Sequence, residues 1–242
     1  MKKFKLSKAI IPNSFTAANL LCGFVAIILA SDNLYRTAAI AILLGAVFDA
    51  LDGLIARLVG SSSEFGVELD SLADIVTFGV APGILIYHTY LAQYQTWGIL
   101  IAAMIPIFGA FRLARFNIQV EDLNTKIDFR GLPIPTPAII ISSMVLAYFN
   151  ESSFQDGFTL IIIPAIFILS LLMISDVRYD ALPDLRKKPK KVNVFYFVIF
   201  IALVLLGSFT INEILFFFFS AFVLYGIARQ IYYFIFPSKL QN

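Results

Sequence analysis

Residues Asp49 to Asp74 read D-A-L-D-G-L-I-A-R-L-V-G-S-S-S-E-F-G-V-E-L-D-S-L-A-D, placing four aspartates in a stretch that is otherwise largely apolar. Asp49 and Asp52 are three apart and Asp70 and Asp74 four apart, so each pair marks one face of a helix. The segment from Arg57 to Asp70 is too short to cross a bilayer. It predicts two helices joined in a tight hairpin, with Gly60 and Gly66 available for turning. A carboxylate inside a membrane span costs about 2.5–3.5 kcal/mol on insertion scales, so four at helical offsets call for cations to neutralise them.

The rest of the chain supplies the membrane setting. Of 242 residues 60% are apolar and 14% charged, with 25 Phe, whereas soluble domains carry about 25% charge. A core of the water-soluble type is excluded. A span needs about 20 mostly apolar residues, and eight such stretches are predicted at 11–30, 37–58, 70–90, 96–116, 133–149, 158–175, 193–209 and 211–233. The expected fold is an all-α polytopic membrane protein forming one domain over 1–242, without internal repeats or a separate soluble part. With eight spans, every Lys and Arg except Arg36 falls on one side, and the rule that short basic loops stay inside puts both termini in the cytoplasm.

Few other features carry chemistry. Met1 to Lys8 alternates Lys with Phe4 and Leu6, which suits a short interfacial segment among anionic head groups, or a plain basic flank. The first apolar run has no small-residue cleavage pattern and reads as a retained span. Cys22 has no partner cysteine for a disulfide or a metal site, and His88 falls at the opposite end of its span from the aspartates. The basic stretch Val177 to Val192 reads as a solvated cytoplasmic loop touching anionic lipid, and nothing points to nucleic acid.

Oxygen ligands without nearby His or Cys suit hard cations such as Mg²⁺ or Mn²⁺, and four carboxylates can support two ions. Paired ions of that kind serve phosphoryl transfer. Gly53 and Ala56 share the stripe of Asp49 and Asp52 and lack bulk, which would let a nucleotide or phosphate approach the helix, or simply let helices pack. Arg57 is placed to reach a pyrophosphate or to snorkel. Solvated hairpin ends are the bland alternative, and a cation transporter the stronger one. Carrier carboxylates usually sit near the bilayer midplane, while these lie toward one face, which favours an enzyme.

The pattern D-x₂-D-G-x₂-A-R-x₈-G-x₃-D-x₃-D is met at every fixed position from Asp49 to Asp74 and resembles the signature of the CDP-alcohol phosphotransferases. Further blocks, from Phe65 to Pro82, R-L-A-R-F-N from Arg112 to Asn117, F-R-G-L-P-I-P from Phe129 to Pro135 and P-N-S-F-T-A-A-N from Pro12 to Asn19, resemble the integral-membrane phosphatidylserine synthase branch. The resemblance implies transfer of a phosphatidyl group from CDP-diacylglycerol to L-serine with release of CMP, in a homodimer of the cytoplasmic membrane whose site faces the cytoplasm. Sister families use glycerol 3-phosphate or inositol phosphate instead. By resemblance, Asp49, Asp52 and Asp70 hold metals, and Asp74 serves both the second ion and the proton of the attacking alcohol. CDP-diacylglycerol would be held by Asn13, Thr16, Asn19, Asp52, Gly53, Ala56, Arg57 and Gly66, with polar helix packing the alternative role of Asn13, Thr16 and Asn19. Guanidinium groups grip carboxylates and phosphates in bidentate fashion, so Arg112, Arg115 and Arg130 are candidates for the serine carboxylate or the lipid phosphate.

Overall fold

A computed structural model describes residues 9–60, 63–121, 131–150, 152–155, 157–177, 179 and 212–235. The predicted stretch at 193–209, the segment Met1 to Lys8 and Arg130 lie outside the described residues. Within them the chain is helical: α1 Ile10–Ser31, α2 Tyr35–Val59, α3 Glu64–Asp74, α4 Ala81–Thr89, α5 Gln95–Glu121, α6 Pro135–Tyr148, α7 Phe158–Ile174 and α8 Asn212–Ile235. One small exception interrupts the all-α reading. Phe149–Asn150 (β1) and Ser153–Phe154 (β2) pair antiparallel between α6 and α7.

Among the described residues, five helical segments are long and apolar enough to cross a membrane: Ile10–Ser31, Tyr35–Ala56, Glu64–Thr89, Leu91–Ile118 and Glu213–Ile235. Large apolar side chains on their outer faces, among them Phe24, Phe111, Phe217 and Phe234, are exposed. Lipid, not water, is the solvent that such a surface suits. The fifth and sixth predicted stretches form shorter apolar helices, Pro135–Tyr148 and Phe158–Ile174. α6 has 14 residues, about 21 Å of rise against a hydrocarbon core of about 30 Å. It is buried along nearly its whole length, from Thr136 to Leu146, and packs among α2, α4, α7 and α8. Its uniform hydrophobicity therefore reports a helix enclosed by protein, a reading that periodicity alone does not separate from a span.

The third stretch also differs from expectation, starting at Glu64 instead of near residue 70. Ser63 caps it, its Oγ accepting the Gly66 N–H at 3.0 Å. Gly66 thus lies inside the first turn of α3 and takes no part in the bend, which belongs to Gly60 at φ +61, the left-handed end of α2. Between α3 and α4 the helix widens into a π turn over Ile75–Val80, where the Ala81 N–H bonds to Val76 O five residues back.

The connections sort into two ends. At one end Tyr35 meets Phe149 edge-on at 5.4 Å, Tyr90 meets Phe154 at 6.2 Å, and the Tyr90 hydroxyl donates to Thr159 O. Tyr and Trp favour the membrane–water boundary, and Trp97 and Tyr94 lie exposed nearby in sequence. The other end gathers the α2–α3 hairpin, the start of α6 and the end of α7. There Gly131, at φ +86, donates its N–H to Val177 O, and Leu132 donates to Leu172 O, both at 2.9 Å. A Cβ on Gly131 would collide with Met173 O.

Candidate active site

α2 and α3 both pack against α1, and across it the aspartates of the two hairpin helices converge. One carboxylate oxygen from each of Asp49, Asp70 and Asp74 lies within 4.8 Å of the others. Asp74 is buried, Asp49 and Asp70 are half-buried, and Asp70 Oδ1 is buried without a hydrogen-bond partner among the described residues. Three carboxylates this close, one with an orphaned oxygen, fit a divalent cation with oxygen ligands and leave little else that would hold them together. Asp52 is buried one turn beyond Asp49, outside this closest group, yet its charge acts on both Asp49 and Asp74.

The cluster is braced from α1 and α5. Asn19, fully buried on α1, donates from Nδ2 to Asp74 Oδ1 at 3.2 Å, and its main-chain oxygen accepts from Thr77 Oγ1 at 2.9 Å. On the α5 side, Asn117 Nδ2 donates to Ser71 Oγ at 3.0 Å, fixing the residue that follows Asp70. Thr77, Ser71 and Asn117 fall within the sequence motifs above without an expected role. Their signal was polarity amid apolar helix, which by itself does not name a partner.

The arginines divide. Arg112 is half-buried on α5 and is the cation whose charge acts on Asp74 and Asp49. Arg115, one turn later, turns to α7. Its Nη1 donates to Ile174 O at 3.0 Å and its Nη2 to Ser175 O at 3.2 Å, with Asp176 at 3.8 Å. It caps the carbonyl end of α7, where a cation is favoured. The remaining candidates are placed less decisively. Thr16 is buried and bonds back to Pro12 O at 3.2 Å, while Asn13 comes close to Gly66, where a Cβ would lie 3.3 Å from Asn13 Oδ1. Gly53 and Ala56 are half-buried on α2, and the Arg57 side chain lies outside what is described.

The family model for CDP-alcohol phosphatidyltransferase matches residues 9–173, spanning α1 through α7 and every aspartate of the cluster. The chain belongs to this family. Among curated members, the CDP-diacylglycerol–serine O-phosphatidyltransferase of Helicobacter pylori strain J99 is 36% identical over 223 residues, 91% of each chain. The Methanocaldococcus jannaschii protein of the same name is 36% identical over 84% of this chain and 88% of its own. An archaetidylserine synthase from Methanothermobacter thermautotrophicus is 37% identical over 70% of this chain and 69% of its own. The CDP-alcohol phosphatidyltransferase fold thus places the acidic cluster where α1, α2, α3 and α5 meet, and divalent metal dependence is general in the family.

Proposed function

We propose that the protein is a phosphatidylserine synthase, transferring the phosphatidyl group of CDP-diacylglycerol to the hydroxyl of L-serine and releasing CMP. The observation that carries this is the Asp49, Asp70 and Asp74 cluster inside a chain alignable over 91% of its length with a serine-using relative. Asp49, Asp52, Asp70 and Asp74 would hold Mg²⁺ or Mn²⁺, in two ions, and the bound metal would supply positive charge for the pyrophosphate and the departing CMP.

The protein's own groups do the rest. Asp74 accepts the serine hydroxyl proton as that oxygen bonds to the phosphorus bearing diacylglycerol. The bond from that phosphorus to the bridging oxygen breaks, and the oxygen leaves on CMP. Arg112, whose charge acts on the cluster, and Arg130 would hold serine's carboxylate or the lipid phosphate, while Arg115 is engaged with α7. Gly53, Ala56 and Arg57 on α2, with Asn13 and Thr16 on α1 and Gly66 on α3, form the nucleotide side. Most of the rate enhancement then comes from positioning and from fixed charge.

The protein acts as a single domain in the cytoplasmic membrane, as a homodimer, with both termini and the acidic end in the cytoplasm and the aromatic end outside. Eight spans give that orientation, with the short helices α6 and α7 counted among them. The deciding experiment supplies purified protein with Mg²⁺ or Mn²⁺ and CDP-diacylglycerol and follows CMP. Release only when serine is present is expected, while turnover with glycerol 3-phosphate or inositol phosphate in its place would move the protein to a sister activity. Metal flux in proteoliposomes without CMP release in that assay would favour a transporter.

A further inference from the structure

We infer that Asn19 is a positioning residue for Asp74, fixing the rotation of its carboxylate through one amide N–H so that the other carboxylate oxygen faces the reaction. This rests on the reading of Asp74 as the general base. The resemblance makes Asn19 a candidate partner for the nucleotide, but its side chain has no exposed surface to offer one. What it contacts is the carboxylate, at 3.2 Å from Nδ2 to Asp74 Oδ1. An ionised carboxylate only accepts, so this contact also fixes which end of the amide points to it. The other end, Oδ1, has no hydrogen-bond partner among the described residues.

Two helices make room for this arrangement. A Cβ on Gly45 of α2 would lie 3.0 Å from Asn19 Oδ1 and 2.5 Å from Thr77 Cγ2, and a Cβ on Gly23 of α1 would come within 2.7 Å of Thr77 Cα. Thr77, in the π turn three residues after Asp74, returns a bond in the opposite sense, from Oγ1 to Asn19 O at 2.9 Å. Asn19 and the Asp74–Thr77 segment therefore hold each other by two bonds across one interface. A buried carboxylate tethered at one oxygen loses rotational freedom there, and general-base transfer depends on that geometry.

The test is steady-state kinetics with both substrates, plus CDP-diacylglycerol binding, on Asn19→Leu, Asn19→Asp, Thr77→Val, Thr77→Ser and Asp74→Asn. Expected for both Asn19 variants is a fall in kcat of tenfold or more, with KM for each substrate and the lipid's Kd within about twofold of the parent. Thr77→Val should lose severalfold in kcat and Thr77→Ser should retain it, because only the former removes the hydroxyl. An Asn19→Leu variant with unchanged kcat overturns the inference, as does one with weakened CDP-diacylglycerol binding at full kcat, which would make Asn19 a nucleotide contact. Should Asn19 variants not fold, equal kcat in Thr77→Val and Thr77→Ser overturns it equally. An inactive Asp74→Asn alongside a fully active Asn19→Leu removes this inference alone, whereas full turnover by Asp74→Asn removes the general-base reading and this inference with it.

Discussion

Asp74 and the two arginines of α5 allow the sharpest expectations at the level of single residues. Asp74→Asn keeps the side-chain shape and the Asn19 contact region but removes the base, so kcat should fall by about 10²–10⁴-fold while CDP-diacylglycerol binding persists; isothermal or fluorescence binding beside a CMP-release assay checks both halves. Arg115→Gln and Arg112→Gln should separate cleanly. The first strips charged donors from Ile174 O and Ser175 O and should cost about 1–3 kcal/mol of stability in detergent melts, with serine KM little changed. The second should lower kcat/KM with little change in melting. The four aspartates were legible because carboxylates in apolar sequence are conspicuous and helical offsets fix their facing. The different partners of Arg112 and Arg115 were not legible, since two cations three residues apart look alike until α7 supplies carbonyls to only one of them.

Elements were legible where local signals act alone. The α2–α3 hairpin followed from loop length and the glycine at 60, and its bend does sit there. Gly60→Ala should destabilise by about 1–2 kcal/mol through its left-handed backbone alone, because a Cβ there meets nothing within 4 Å. Gly23→Val, by contrast, drives side-chain atoms into the Thr77 backbone, and loss of folded protein in size-exclusion analysis is the expected result. The start of α3 is not visible to hydropathy, since its opening residues include Glu64 and Glu68. Its signal was the Ser63 cap, three residues ahead of the Gly66 N–H it accepts.

For the molecule as a whole, composition sufficed to set the solvent, but not the distinction between a helix sheathed in lipid and one sheathed in protein. α6 is apolar for the second reason, and only its neighbours show this. Single cysteines introduced at Asn33 and Ser152, with Cys22 replaced, should label from the outer side of sealed vesicles, and one at Gly60 from the inner side alone; the reverse pattern would invert the proposed orientation. Chelation should abolish CMP release, and added Mg²⁺ or Mn²⁺ should restore it with a dependence steeper than first order if two ions act together.

The widened turn at Ile75–Val80 carries a consequence for the whole third span. One extra residue in a helix advances its phase by about 100° relative to an unbroken α-helix. Upstream of it, Asp70 and Asp74 point at the acidic cluster. Gly79 within the turn and Gly83 beyond it point at α5, where Cβ atoms would lie 3.1 Å from Pro106 Cα and from Ala102 O, respectively. In strict α register Asp74 and Gly83, nine residues apart, would face about 180° apart, and the widened turn brings that angle to about 80°. Inserting one further residue as ordinary α-helix between Asp74 and Gly83 would impose that rotation, so either the carboxylates or the glycine seam would be turned away from its partner.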